Sequence, residues 1–256
     1  MIFYFTGTGN SQMVAETIAD TTGDRLVNIT SCIKTESYDV NLAENEAVGF
    51  VMPTYYYGIP IHVPEFLSRL HFSHTPSYVW TCLTCEGMTA GAGNMLSQAL
   101  SACGLPTHAR FSCPVANNTY VMAPQQAPKD FGPLLDKAQK RAENIGKFVA
   151  DRRCGNFDDC TAFGADYITA QYYGSYVTGR NTKRFKLVLG RCVGCGLCAE
   201  NCPDSAIEIV RGKATWTKSK CIYCLRCINC CPHNAIAFGN QDNSRTYINP
   251  RVKGGA

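Results

Sequence analysis

Cys192, Cys195, Cys198 and Cys202 stand in the run CVGCGLCAENCP, and Cys221, Cys224, Cys227 and Cys231 repeat the pattern further on in CIYCLRCINCCP. Each half reads C-x2-C-x2-C-x3-C-P. Three thiolates two residues apart can wrap one face of a cubane iron–sulfur cluster, while the fourth, trailed by proline, points away from that face. The flanks repeat too: Ala206-Ile207 matches Ala235-Ile236, and Val193 matches Ile222. Zinc sites usually pair two C-x2-C knuckles across a longer gap and need no trailing proline. Disulfides need an oxidising compartment, for which nothing in the sequence argues. The chemistry indicated is that of two 4Fe–4S clusters.

A second chemical feature opens the chain. The apolar run Met1–Phe5 leads straight into Thr6-Gly7-Thr8-Gly9-Asn10-Ser11, and a helical pattern follows with Met13, Val14, Ile18 and Ala19 on one face. A strand, a glycine-rich turn and a helix N-terminus make an anion site, because backbone N–H groups converge there and the helix dipole favours negative charge. Thr6, Thr8, Asn10 and Ser11 add hydroxyl and amide donors. The loop has no Lys or Arg, unlike a P-loop, and lacks the third glycine of the dinucleotide fingerprint.

These motifs need a scaffold. Strand-like runs at 26–29, 47–52, 78–82 and 109–113 alternate with helical patterns at 64–72, 94–103 and 133–150. Such alternation predicts an α/β, doubly wound parallel sheet. TGTGNS resembles the FMN-phosphate loop of flavodoxins. That resemblance implies five strands in the order 2-1-3-4-5, with the ligand at their C-terminal ends beside the switch point. It implies two further loops around the flavin ring: Pro53-Thr54-Tyr55-Tyr56-Tyr57-Gly58, and Thr84-Cys85-Glu86-Gly87 continuing through Gly91 and Gly93. Three tyrosines and a glycine offer flat aromatic walls and close backbone donors. Gly58 is the implied amide that adjusts to the flavin N5, and Asn117 and Asn118 the implied neighbours of the pyrimidine edge.

The C-terminal pattern is similar to that of bacterial two-cluster ferredoxins, in which the fourth cysteine of each motif ligates the other cluster. The implied partition is Cys192, Cys195, Cys198 and Cys231 for one centre, and Cys221, Cys224, Cys227 and Cys202 for the other. Taken whole, the chain resembles the fused flavodoxin–ferredoxin iron–sulfur flavoproteins. MPTYYYGIP, TCEG, VANNTY, the ATW lead-in to Cys221 and the tail SRTYINP carry the likeness, although Thr246 separates Arg245 from Tyr247. Cys230 is an extra cysteine between the third and fourth ligands.

The expected division is a flavodoxin-like FMN domain at 1–150, a connector at 151–184, a small α+β two-cluster domain at 185–240 and a tail at 241–256. About 55 residues bury too little apolar surface to fold unaided, so the clusters stand in for the second core. The connector is too long for a slack linker in a compact chain and is expected to pack as a helix or strap. Residues 1–150 carry 9 basic and 12 acidic side chains, and residues 151–256 carry 15 and 8. Two clusters and an FMN phosphate add roughly −6, so the basic C-terminal half answers its own clusters rather than nucleic acid.

Eight of the 16 cysteines lie outside the motifs, with no disulfide framework spacing. Among them Cys85 falls in a flavin loop. No apolar run reaches the length needed to span a membrane, and Met1–Phe5 is not a signal peptide. A cytoplasmic, anaerobic setting is expected. The reading that follows is an electron carrier that passes electrons between clusters and FMN to redox protein partners. The alternative is an FMN-dependent oxidoreductase that reduces a small-molecule acceptor, with Tyr55, Tyr56, Tyr57, Cys85 or Glu86 near the reacting atom.

Overall fold

The computed structural model describes residues 1–161, 164–239 and 246–252. Its centre is a parallel sheet built from β1 (Ile2–Tyr4), β2 (Leu26–Asn28), β3 (Ala47–Pro53), β4 (Tyr78–Cys85), β5 (Ala109–Pro114) and β6 (Gly155–Phe157). The spatial order is β2-β1-β3-β4-β5-β6, with Ile2 beside both Leu26 and Gly49. The order reverses between β1 and β3, which opens a crevice at their C-terminal ends. The flavodoxin-like sheet is therefore present with a sixth strand beyond the expected five. Residues 155–157 fall in the expected connector, yet they pair with 109–111 at the open edge. The run GNF is too short to announce itself as a strand.

Every residue of β4 is buried, as a central strand covered on both faces must be. One face carries α1 (Asn10–Thr22) and, later in the chain, the helix Gly132–Ala150, which meet over Val14, Ile18, Leu135, Ala138 and Ala142. The other carries α2 (Ile29–Thr35), α3 (Val63–Arg69) and α4 (Ala92–Ala102), with α5 denoting Gly132–Ala150. The helix expected to reach residue 72 stops at Arg69, because Leu70 turns extended and His71–Phe72 pairs with Asp39–Val40.

The connector is largely structured. It supplies β6 and then α6 (Ala165–Gly179). Thr169 Oγ1 donates to Tyr57 O (2.6 Å) and accepts from Gly91 N–H (2.8 Å), so one side chain joins both loops above the crevice. Tyr173 OH donates to Ile59 O (2.8 Å), and the Tyr176 ring stacks on Tyr56 with centroids 4.9 Å apart. Tyr176 OH reaches on to Ile222 O (2.8 Å), next to a motif cysteine.

The C-terminal unit repeats itself. β7 (Phe185–Leu187) pairs antiparallel with β10 (Ile236–Phe238), and the hairpin β8 (Ile207–Val210) and β9 (Lys213–Trp216) covers it. Short helices α7 (Leu197–Glu200) and α8 (Arg226–Asn229) occupy equivalent places in the two cysteine motifs. Cysteines are part of its core, among Phe185, Ile207, Ile228, Ile236 and Phe238.

Gly58 sits directly under α6, where an added Cβ would overlap the Tyr173 ring. Gly58→Ala should destabilise this junction by about 1–3 kcal/mol, the usual penalty of overpacking. Limited proteolysis should then cut residues 155–184 faster than in the parent. Unchanged cleavage would mean that α6 is not held by this loop.

Candidate functional site

The eight motif cysteines form two quartets. Cys192, Cys195, Cys198 and Cys231 line one cavity, with Leu187, Ile209 and Ile236. Cys202, Cys221, Cys224 and Cys227 line another, with Phe185, Ile207 and Trp216. Each cavity thus takes its fourth thiol from the opposite motif. Among the described residues no three His, Cys, Asp or Glu side chains converge on a single metal-ion position. The thiols instead surround apolar space, which suits a group that presents four separate iron corners, one to each thiolate. Ala206 N–H donates to Cys202 Sγ and Ala235 N–H to Cys231 Sγ, both at 3.3 Å. These two bonds are the structural face of the Ala-Ile repeat, and hydrogen bonds to sulfur help set cluster potentials.

The repeat breaks at two informative positions. Gly194 and Gly196 adopt φ of 73° and 86°, and their counterparts in the second motif are Tyr223 at 50° and Leu225 at 57°. A side chain in this left-handed region costs roughly 1–2 kcal/mol. Both strained residues line the crevice above the sheet, and Leu225 also lines the cavity of the second quartet.

That crevice has two continuous parts. The narrower is lined by Thr6, Gly7, Thr8, Asn10, Ser11, Pro53, Thr54, Tyr55 and Thr84. The wider runs past Tyr56, Tyr57, Gly87 and Met88 to Tyr223, Leu225 and Phe238. Tyr55, Cys85, Glu86, Asn117 and Asn118 border both. Two buried oxygens on the shared floor, Thr54 Oγ1 and Tyr55 OH, have no hydrogen-bond partner. An unsatisfied buried polar group costs about 1–3 kcal/mol, so a ligand's polar atoms fit there. Burial holds the Tyr55 phenol well above the ordinary tyrosine range, so it stays a donor.

The loop below the crevice is fixed from several sides. Thr6 Oγ1 accepts from Gly9 N–H (2.9 Å), and Ser11 Oγ pairs with Thr84 Oγ1 (2.8 Å). Asn10 has its whole amide engaged: Nδ2 donates to Ala116 O, and Oδ1 accepts from Tyr247 OH (2.6 Å) and Asn249 Nδ2 (3.0 Å). Its side chain therefore shapes the loop and leaves the anion to backbone N–H groups and to Thr8. Gly58 likewise exchanges backbone bonds with Tyr55 (2.8 and 2.9 Å), so its amide closes the tyrosine turn. Tyr56 and Tyr57 take φ of 50° and 63° in that turn. Gly91 is tied to Thr169, and Gly93 lies in the first turn of α4 beside Asp158, both off the crevice wall.

The loop has no cation of its own, but the fold brings one. Arg226, buried in the wall of the second quartet, donates from Nη1 to Gly7 O (3.1 Å) and from Nη2 to Asn201 Oδ1 (2.8 Å). Burial presses its guanidinium below the usual arginine range. His62, buried beside Phe5, is pushed down to about 4 by desolvation and is a neutral core residue. Sequence reasoning missed Arg226, Tyr223, Leu225, Phe238 and Asn249 as parts of the site. For Tyr223 and Leu225 the signal was available, since the motif repeat substitutes them for glycines.

The Flavodoxin domain family matches residues 1–102, and the 4Fe-4S dicluster domain family matches residues 191–236. No curated protein matches the chain. Among solved structures, a Bacteroides uniformis protein described as a flavoprotein is 12% identical, at a TM-score of 0.40 over 57% of this chain and 96% of its own. The Trp repressor binding protein of Bacillus subtilis is 12% identical, at 0.33 over 57% and 97%. The rubredoxin:oxygen oxidoreductase of Desulfovibrio gigas is 14% identical, at 0.31 over 59% and 36%. The chain therefore joins a flavodoxin domain to a 4Fe-4S dicluster domain, a combination that supports an iron–sulfur flavoprotein in electron transfer.

Replacing Leu225 by Gly should relieve backbone strain and leave iron content intact. It removes a crevice wall, so flavin affinity should fall by about 1.5–3 kcal/mol, roughly tenfold or more. Fluorescence titration of the apoflavin protein measures this. Loss of iron with unchanged flavin affinity would assign Leu225 to the cluster alone.

Proposed function

We propose that the chain holds one FMN in the crevice and two 4Fe–4S clusters in the quartets, and passes electrons between them and a redox partner. The observation that carries this reading is the shared wall: Leu225 borders both the crevice and the Cys202, Cys221, Cys224 and Cys227 cavity. That quartet is the proximal one. The other is distal and nearer solvent, with Cys195 exposed and Leu189 and Val193 standing 66% and 62% exposed. Partner exchange is therefore assigned to the distal end.

A bound flavin supplies one- and two-electron chemistry, whereas each cluster supplies one electron at a time. The protein's part is to position and insulate. Backbone N–H groups at the start of α1 and the Thr8 hydroxyl are suited to a single terminal phosphate, which favours FMN. Tyr55 and Thr54 offer their free oxygens to the polar edge of the ligand. Tyr223 and Phe238, packed edge to face with centroids 5.4 Å apart, give an apolar wall on the cluster side. In domain terms, residues 1–150 make the FMN unit, 185–240 the cluster unit, and 151–184 the piece that completes the sheet edge and clamps the flavin loops.

Cofactor analysis tests the reading. The anaerobically purified protein should contain about eight irons and eight sulfides per chain, as two cubanes require, and release one FMN on heating. Cys202→Ala should abolish the paramagnetic signal of the proximal centre and spare the distal one. Stoichiometric zinc, two irons, or loss of the distal signal instead would overturn it.

A further inference from the structure

The loops around the distal quartet turn aliphatic side chains outward. Leu189, Val193, Leu197 and Val210 are exposed, and so is the motif residue Cys195. Three contacts knit these loops into one face. Gly194 packs so tightly on the β8–β9 turn that an added Cβ would overlap Gly212 O. From the same hairpin, Lys213 Nζ donates to Cys192 O (2.5 Å) and reaches Leu189 O (3.5 Å). Val210 pairs with Lys213 across that turn, so the hairpin tip, the first cysteine motif and the loop before it share a surface.

The rim of this face is positive. Arg191 and Arg211 are exposed and Lys213 is half-buried, against one exposed carboxylate, Glu208, on β8. Among the described residues none of the three cations is ion-paired. The quartet lies beneath them, so an approaching molecule meets the surface cations before any cluster charge. The apolar centre then selects among anionic visitors. A membrane surface is gripped by Trp and Tyr anchors, and segments 188–197 and 208–213 contain no aromatic residue. A stable contact between copies takes roughly 20–30 residues a side, whereas four aliphatic side chains suit a brief encounter.

We propose that this face docks a separate electron-carrier protein whose own redox centre opens on an apolar patch ringed by carboxylates. This rests on the proposed function, in which the distal quartet holds a cluster. Attraction between the two rims orients the carrier and speeds encounter, and the aliphatic contact excludes water between the two redox centres. In the reducing direction one electron passes per encounter. The carrier loses it and the distal centre gains it, with no bond made or broken and no proton moved. The small contact then releases the oxidised carrier.

The test mixes oxidised holoprotein anaerobically with a reduced acidic 2Fe–2S ferredoxin in a stopped-flow instrument. It is repeated with the same ferredoxin after its carboxylates are amidated. Transfer from the acidic form should be about tenfold faster or more at low salt, and the gap should close as salt rises. Arg191→Glu combined with Arg211→Asp should remove that advantage, and calorimetry on the two oxidised proteins should show binding that this double variant lacks. Leu189→Ser should weaken the same binding. Both variants should keep their iron and flavin, and photoreduced deazariboflavin, small and neutral, should reduce them at the parent rate. Equal rates from the two ferredoxins, or a double variant that behaves as the parent, would overturn the proposal. So would a dimer that Leu189→Ser splits, or binding to phosphatidylglycerol vesicles that the double variant abolishes. A preparation that loads no cluster would overturn the proposed function instead, and its iron content shows this before any carrier is added.

Discussion

Gly7 is the point on which the two halves of the molecule meet. A Cβ at this residue would lie 2.6 Å from Tyr55 OH and 2.9 Å from the carbonyl of the cluster-motif residue Cys224. Its own carbonyl accepts the buried Arg226 guanidinium. No side chain fits, so the backbone of the anion loop lies directly against the backbone of the proximal quartet. In the proposed electron-transfer reading, this contact sets the distance between the crevice and the proximal quartet. The flavin crevice and the cluster cavity share a wall because nothing larger than a hydrogen separates their supporting loops.

A belt of amides keeps the contact in register. Asn118 Nδ2 donates to Cys224 O (3.2 Å), Asn229 Nδ2 to Asn118 O (3.2 Å), and Tyr247 N–H to Asn229 Oδ1 (2.8 Å). Tyr247 and Asn249 then close on Asn10, and Asn249 N–H bonds Thr8 O (2.8 Å). The tail thus returns to the first loop of the chain. On the other side α6 holds both flavin loops and, through Tyr176, the residue after Cys221. Each of these bonds joins segments at least 18 residues apart, so together they tie the two halves of the chain to one another.

The chemistry was more legible in the sequence than its placement. The cysteine registers, the TGTGNS turn and the strand–helix alternation are local signals with fixed spacing. The sixth strand was not legible, because Gly155–Phe157 has neither length nor apolar alternation and is defined only by the edge it joins. Nor was the engaged amide of Asn10, since partners as remote as Tyr247 and Asn249 decide it, or that of Gly58, which the tyrosine turn closes on Tyr55. Arg226 carried no signal of its own among the 15 basic residues of the C-terminal half. In the tail, Arg245 lies outside the described residues, whereas Tyr247 and Asn249 proved to be loop-binding residues.

The central claim is that Cys202, Cys221, Cys224 and Cys227 hold the cluster beside the flavin, with Arg226 wedged between. A reduced cluster gains negative charge, and a buried cation favours that state. Redox titration of Arg226→Gln followed by paramagnetic resonance is the direct measurement. One cluster potential should fall by on the order of 60 mV, about 1.4 kcal/mol for a one-electron couple, while the other stays fixed. Two unmoved potentials, or an equal shift of both, would contradict the account.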